Sequence, residues 1–266
     1  MIGAIIGDVV GSRFEFRNVK SKNFQFFHRD CCFTDDTVLT CCIAEAVMES
    51  AKKGFADLDE QAVNCMREIG FWYPTCGFGG RFFHWMYGEH PEPYNSCGNG
   101  SAMRISPVGD IARSVEEAKE LSYAVTAVTH NHPEGIKGAE AVAVANVLAR
   151  QGKSKGWIRK YIEDNYYDLS KTVNDYREEN EGHGKELCQV SVPQAFVCFF
   201  EGKGYVDVIR NCISIGGDSD TIGAIAGGIA EAYYGVPEKK SRRVMGYLDD
   251  TLTDIVVRFE NFKKEL

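Results

Sequence analysis

Two short polar clusters, one near the start of this 266-residue chain and one near its end, hold the residues best suited to chemistry: Phe33-Thr34-Asp35-Asp36-Thr37 and Gly216-Gly217-Asp218-Ser219-Asp220-Thr221. Each supplies a pair of carboxylates and a hydroxyl within four residues, the hard-oxygen donor set that Mg²⁺ or a similar cation takes. Capping alone would account for either cluster taken singly, because Asp, Ser and Thr are preferred N-cap residues and a bare helix N-terminus repels cations. Two features favour ligation over capping. Each cluster has more acids than a cap needs, and each leads into a helical pattern too apolar for the surface: Val38, Leu39, Cys42, Ile43, Ala46 and Val47 after the first, Ile222, Ile225, Ala226, Ile229, Ala230 and Tyr233 after the second. Acids gathered at the ends of buried helices repel one another unless a cation sits between them.

The elements that must position these clusters read as helices. Helical periodicity recurs around Ala62 to Ile69, Trp157 to Ile162, Val206 to Ile213, and in one stretch from Val244 to Phe259. Ser114 followed by Glu117 is a capping-box signature for a helix running toward Val128. Alternating strand patterns are almost absent, so the fold class expected is all-α. Gly3, Gly7 and Gly11 would share one side of an N-terminal helix, and Gly223 and Gly227 one side of the helix after the second cluster. Helix-interior glycine costs roughly 1 kcal/mol relative to Ala, so such rows point to helices that cross at close backbone distance. Glycines and prolines break up most of residues 71 to 100, an aromatic-rich loop region, and Asp175 to Lys185 reads as an exposed connection.

Composition narrows the class further. With 44% hydrophobic residues the chain can bury a large core, and a net charge of −8 with no basic cluster disfavours a nucleic-acid surface. Ten cysteines form no Cys-x-x-Cys pair and read as buried thiols of a reducing compartment. The apolar start from Met1 to Val10 is short and lacks a basic leader, so neither a signal peptide nor a membrane span is expected, and the location expected is cytoplasmic. No linker marks a boundary, and a single domain over residues 1 to 266, monomeric by default, is expected.

With both clusters in view, the chain resembles the ADP-ribosylglycohydrolase family, relatives of the dinitrogenase-reductase-activating glycohydrolase. The resemblance runs nearly end to end. It is carried by Gly7-Asp8-Val9-Val10-Gly11-Ser12-Arg13-Phe14-Glu15, Thr34-Asp35-Asp36-Thr37, Gly98-Asn99-Gly100-Ser101-Ala102-Met103-Arg104, Thr129-His130 and the Gly216 to Thr221 cluster, all in the family's order. It implies a compact many-helix domain of the ADP-ribosylglycohydrolase type with a dinuclear site for two Mg²⁺ ions, Mn²⁺ being an alternative, held by Thr34, Asp35, Asp36, Asp218, Asp220 and Thr221.

The same resemblance assigns the other roles. The catalytic residues it implies are Glu15, Asp36 and Asp218. Substrate would be bound by Ser96, Gly98, Asn99, Gly100, Ser101, Ala102, Met103 and His130, with the glycine loop cradling a diphosphate and the two serines as candidate phosphate contacts. Asp8 is left between supporting the site and capping a helix, and Arg104 is read as structural. Cys97 stands where many relatives carry an aromatic residue that stacks on adenine, which passes that contact to another ring such as Tyr94 or Phe78. The implied activity is Mg²⁺-dependent release of ADP-ribose from a modified side chain, arginine by family frequency, or from a small-molecule conjugate. The alternatives are a non-catalytic ADP-ribose or nucleotide binder and another Mg²⁺-dependent nucleotide hydrolase.

Overall fold

In the computed structural model, which describes residues 1–182 and 185–266, the regular elements are helices, and the extended pairing is an isolated antiparallel bridge between Gly98 and Leu187. The first third holds α1 (Ile2–Gly11), α2 (Asp35–Ala51), α3 (Leu58–Gly70) and α4 (Gly80–Tyr87). The middle holds α5 (Gly100–Met103), α6 (Ser106–Ile111), α7 (Val115–Ala127), α8 (Pro133–Arg150) and α9 (Lys155–Asn165). The last part holds α10 (Val173–Glu179), α11 (Cys188–Glu201), α12 (Tyr205–Ile215), α13 (Ser219–Tyr234), α14 (Glu238–Met245) and α15 (Asp250–Glu265). None of these helices is long and apolar enough to cross a membrane, among the described residues.

The core is centred on α13, whose residues from Ser219 to Ala230 are all buried and which packs against α1, α8, α11 and α12. Its tightest partner is α1. A Cβ added to Gly7 would collide with the Gly223 carbonyl, one on Gly223 would lie 2.7 Å from the Gly7 oxygen, and one on Gly11 would lie 2.6 Å from the Asp220 amide nitrogen. The two glycine rows therefore face each other, and they bring the C-terminal end of α1 against the first turn of α13. Tyr205 of α12 fastens the same crossing by donating its hydroxyl proton to the Gly3 carbonyl at 2.8 Å.

The turn from α12 into α13 needs glycine for a different reason. Gly216 and Gly217 have φ of 72° and 76°, the left-handed region that side chains disfavour. Asn18 clamps this turn, its Oδ1 accepting from the Gly217 amide at 2.9 Å and its Nδ2 donating to the Gly217 carbonyl at 3.0 Å.

Most expected helices are present, with three differences, the first being α4, an eight-residue helix within the stretch 71 to 100 expected as loop. The periodic stretch from Val244 to Phe259 is interrupted, because Asp249 caps a new helix by accepting from the Leu252 amide at 2.9 Å. Asp175 to Lys185 is not wholly a connection: Thr172 and Asp175 form a capping box, and Tyr176 is buried, so the chain is helical through Glu179. His183 and Gly184, in the same stretch, lie outside the described residues.

The crossing predicts opposite outcomes for two similar substitutions. Gly7→Ala should lower the unfolding free energy in urea by about 3 kcal/mol through overpacking against backbone that cannot yield. Gly156→Ala, in α9 with open space around the new methyl, should be neutral or stabilising by up to about 1 kcal/mol. Wild-type stability in Gly7→Ala would contradict the close crossing.

Candidate metal and substrate site

Beside the α1–α13 contact lies a cleft of about 300 Å³. Its acidic lining is Glu15, Asp35, Asp36, Asp218 and Asp220 with Thr221, and the rest includes Ser96, Gly98, Asn99, Gly100, Met103, Tyr94, Arg81, Arg104 and His130. The two clusters thus meet in space.

Asp8 is the residue that makes the first cluster possible. It is fully buried in the middle of α1, and its carboxylate accepts from the Thr34 amide at 3.0 Å, the Thr34 hydroxyl at 2.8 Å, the Thr37 amide at 3.1 Å and the Thr37 hydroxyl. One acid on α1 therefore satisfies two open amides at the start of α2, those of Thr34 and Thr37, a capping role played from a neighbouring helix. Thr34 caps as well, accepting from the Asp36 amide at 3.4 Å. The second cluster does not cap in this way, since Asp218 is the N-cap of α13 but makes no side-chain capping bond.

Carboxylate oxygens of Asp8, Asp36 and Asp220 all lie within 4.8 Å of one another, and so do those of Glu15, Asp218 and Asp220. Asp220 belongs to both groups. The Thr34 and Thr221 hydroxyls each stand 3.3 Å from Asp36 Oδ2, while Asp36 Oδ1 is buried with no hydrogen-bond partner among the described residues. A buried carboxylate oxygen left without a donor is costly unless something else satisfies it. All these donors are hard oxygens, and two overlapping acid groups that share one carboxylate fit a pair of divalent cations. Asp35 lines the cleft outside these two groups, with its amide donating to the Cys76 carbonyl at 3.0 Å.

The glycine loop is arranged differently from the sequence-based expectation. Ser96, Gly98, Asn99, Gly100 and Met103 line the cleft, but Ser101 and Ala102 do not. The Ser101 hydroxyl is fully buried and donates to the Gly135 carbonyl at 2.8 Å, which ties α5 to α8 and turns the group away from any phosphate. Ser96 Oγ accepts from the Gly98 amide at 3.1 Å. Asn99 uses Nδ2 to donate to Asp218 Oδ2 at 2.6 Å and to Ser191 Oγ of α11 at 2.8 Å, so its side chain, anchored on α11, orients the candidate ligand at the start of α13. Of the two rings offered in place of Cys97, Tyr94 lines the cleft, 6.0 Å from the His130 ring and 4.9 Å from the Arg81 guanidinium. Phe78 packs on Phe82 at 5.2 Å instead. Arg81 and Glu186, which no sequence motif singled out, also line the cleft.

Burial dominates the electrostatics. It raises the Asp8 carboxyl to about 6 against the pull of the Thr34 and Thr37 bonds, and burial together with the charges of Asp8 and Asp218 raises Asp35 to about 8. Asp36 and Asp220 are pushed well above the usual carboxylate range by burial first and then by their acidic neighbours. His130 moves the other way, held well below its ordinary value by burial and by the nearby Arg104 and Arg81 charges. Carboxyls raised in the folded state stabilise it fully below about pH 4, and that stability is lost as pH climbs through about 6 and about 8. In EDTA the melting temperature should therefore fall between about pH 5 and about pH 8.5, and Asp35→Asn should flatten the fall. A Tm that rises across this interval would show that the acids do not repel one another as placed.

Comparisons with known proteins agree with this architecture. Residues 1–262 match the family model described as ADP-ribosylglycohydrolase. The chain is 26% identical to ADP-ribosylhydrolase ARH3 of Homo sapiens, covering 97% of this chain and 90% of that protein. It is 24% identical to ADP-ribosyl-[dinitrogen reductase] glycohydrolase of Rhodospirillum rubrum, over 89% and 85%, and 23% identical to ADP-ribosylarginine hydrolase Tri1 of Pseudomonas putida, over 89% and 70%. A solved ADP-ribosylglycohydrolase-related protein complex shares the fold at a TM-score of 0.67 and 20% identity, covering 98% and 97% of the two chains. With a family model spanning all but its last residues and the same helical architecture, the chain belongs to the ADP-ribosylglycohydrolase family.

Proposed function

We propose that this protein is a Mg²⁺-dependent hydrolase that releases ADP-ribose from a conjugate by cleaving the bond at the anomeric carbon of the ribose distal to adenine, with an arginine side chain as the preferred leaving group. The observation that carries the reading is the pair of acid groups joined through Asp220, opening onto a cleft floored by the Gly98 to Gly100 turn. The arginine preference rests on the name of the Pseudomonas putida relative.

Asp36, Asp218 and Asp220, with Thr34, Thr221 and Asp35 beside them, would hold the cations. When bound, the cation pair would supply Lewis-acid polarisation of the ribose hydroxyls and of water. The chain's own part is to bind, orient and move a proton. Asn99 holds Asp218 in one rotamer, and Asp8 holds the first turn of α2, so the ligand oxygens are set before substrate arrives. Hydrolysis breaks the anomeric carbon's bond to the leaving atom and makes a bond from that carbon to a water oxygen. Glu15, with a carboxylate oxygen within 4.8 Å of those of Asp218 and Asp220, would take the water's proton at its carboxylate oxygen, and the leaving nitrogen or oxygen would take up a proton as it departs. The surrounding carboxylates also favour the positive charge that develops on the ribose in an oxocarbenium-like transition state.

A panel of defined ADP-ribosyl conjugates, assayed with Mg²⁺ and with EDTA, tests the reading. Wild type should turn over the arginine conjugate with Mg²⁺ only. Asp218→Asn should lose at least about 100-fold in turnover together with cation affinity, whereas Glu15→Gln should lose about 100-fold in kcat while cation binding measured by calorimetry persists. Heat of ADP-ribose binding with no product from any conjugate would make the protein a binder and reject the hydrolase.

A further inference from the structure

Arg104 is fully buried and carries no carboxylate partner in its hydrogen bonds; its Nε and Nη1 have no partner among the described residues. Burying a guanidinium in this way is costly, so its one short bond is informative. Nη2 donates to the Thr129 hydroxyl at 2.7 Å. Arginine has no acceptor, so Thr129 Oγ1 must accept here and has a single proton of its own to give. Two acceptors stand near that proton: His130 Nδ1 at 2.8 Å and the Thr126 carbonyl at 3.4 Å. The carbonyl already accepts from the Thr129 amide at 3.2 Å and the His130 amide at 2.8 Å, which uses both its lone pairs. The hydroxyl proton therefore goes to Nδ1, at the usual length for a hydroxyl donor.

We propose that Arg104 and Thr129 act as a positioning relay that fixes His130 as the neutral tautomer protonated at Nε2, and so presents an N–H donor to a diphosphate oxygen above the glycine turn. Nε2 is the atom that faces this turn: it lies 3.5 Å from where a Cβ on Gly98 would stand and 3.4 Å from one on Gly100. The absence of side chains at these two positions leaves the space between the imidazole and the loop free for an anion. Burial and the two neighbouring guanidinium groups, Arg104 and Arg81, keep the ring uncharged, so the donor does not vary with small changes in pH. The chain on either side of His130 is tied down as well, Tyr94 donating its amide to the Thr129 carbonyl at 3.3 Å and Asn95 its amide to Asn131 Oδ1 at 2.7 Å. The diphosphate half of this inference rests on the ADP-ribose reading; the tautomer half does not.

The test uses Thr129→Val, which keeps the shape but removes the hydroxyl, and Thr129→Ser, which restores it. In ¹⁵N-histidine-labelled wild-type protein at neutral pH, His130 should show a pyrrole-type Nε2 and a pyridine-type Nδ1. Thr129→Val should lose that pure signature and weaken ADP-ribose binding about tenfold, raising KM while kcat changes less than about twofold, and Thr129→Ser should recover both. A pyrrole-type Nδ1 in wild type overturns the relay, as does a Thr129→Val protein with unchanged tautomer or unchanged ADP-ribose affinity. A merely structural bond between Arg104 and the end of α7 would move neither the tautomer nor the split between KM and kcat. Should Thr129→Val not fold, the wild-type tautomer still decides. A protein that binds no ADP-ribose but shows the expected tautomer would refute the proposed function and leave the Arg104–Thr129 relay standing.

Discussion

The contact between the glycine rows of α1 and α13 is the constraint on which the site depends. With Gly7 against Gly223 and Gly11 against Asp220, two helices from opposite ends of the sequence meet backbone to backbone, closer than any side chain would allow. That distance places Asp8 of α1 beside Asp36 and Asp220, and it lets Glu15, four residues past the end of α1, reach Asp218 and Asp220. A wider crossing would part the two acid groups, whatever the identity of the ligands. Helix glycines that look like a weakness in α1 are thus what allows the carboxylates to converge.

Convergence brings an electrostatic conflict. Burial raises Asp8, and burial with the charges of neighbouring acids raises Asp35, Asp36 and Asp220, so the metal-free chain must protonate some of them or accept the repulsion. The fold tolerates this because neutral donors surround the acids: threonine hydroxyls at Asp8 and Asp36, backbone amides from the first turn of α2, and the Asn99 amide at Asp218. The cleft lining also holds positive charge, with Arg104 and Arg81 near an uncharged His130. The cleft therefore carries charges of both signs, acids from the two clusters and the Arg81 and Arg104 guanidinium groups.

Much of this was legible in the chain itself. The glycine spacing announced the crossing, because small residues at four-residue intervals have few other uses in helices, and the surplus acids at Asp35-Asp36 and Asp218-Asp220 announced the cleft that they line. What escaped were relations that depend on partners far away in sequence. Asp8 could not be assigned because its four donors all belong to Thr34 and Thr37, on another helix. Ser101 resembles a phosphate contact until the Gly135 carbonyl takes its proton, and Asn99, expected among the substrate-binding residues, gives both protons of its side-chain amide to Asp218 and Ser191. The break at Asp249 was hidden because apolar spacing continued smoothly across it, although an Asp three residues before Leu252 is itself a capping signal.

The clamp between Asn18 and Gly217 has a consequence for how the protein is made. It joins residues 199 positions apart, and the acid groups need both the α1 end and the start of α13. During synthesis the first acidic cluster leaves the ribosome long before the second exists, so it waits without its partners. The two acid groups cannot assemble until the chain has been made through Asp220 and α13 has closed on α1. The site is therefore the last thing the fold makes, a sign that its two distant segments have found each other.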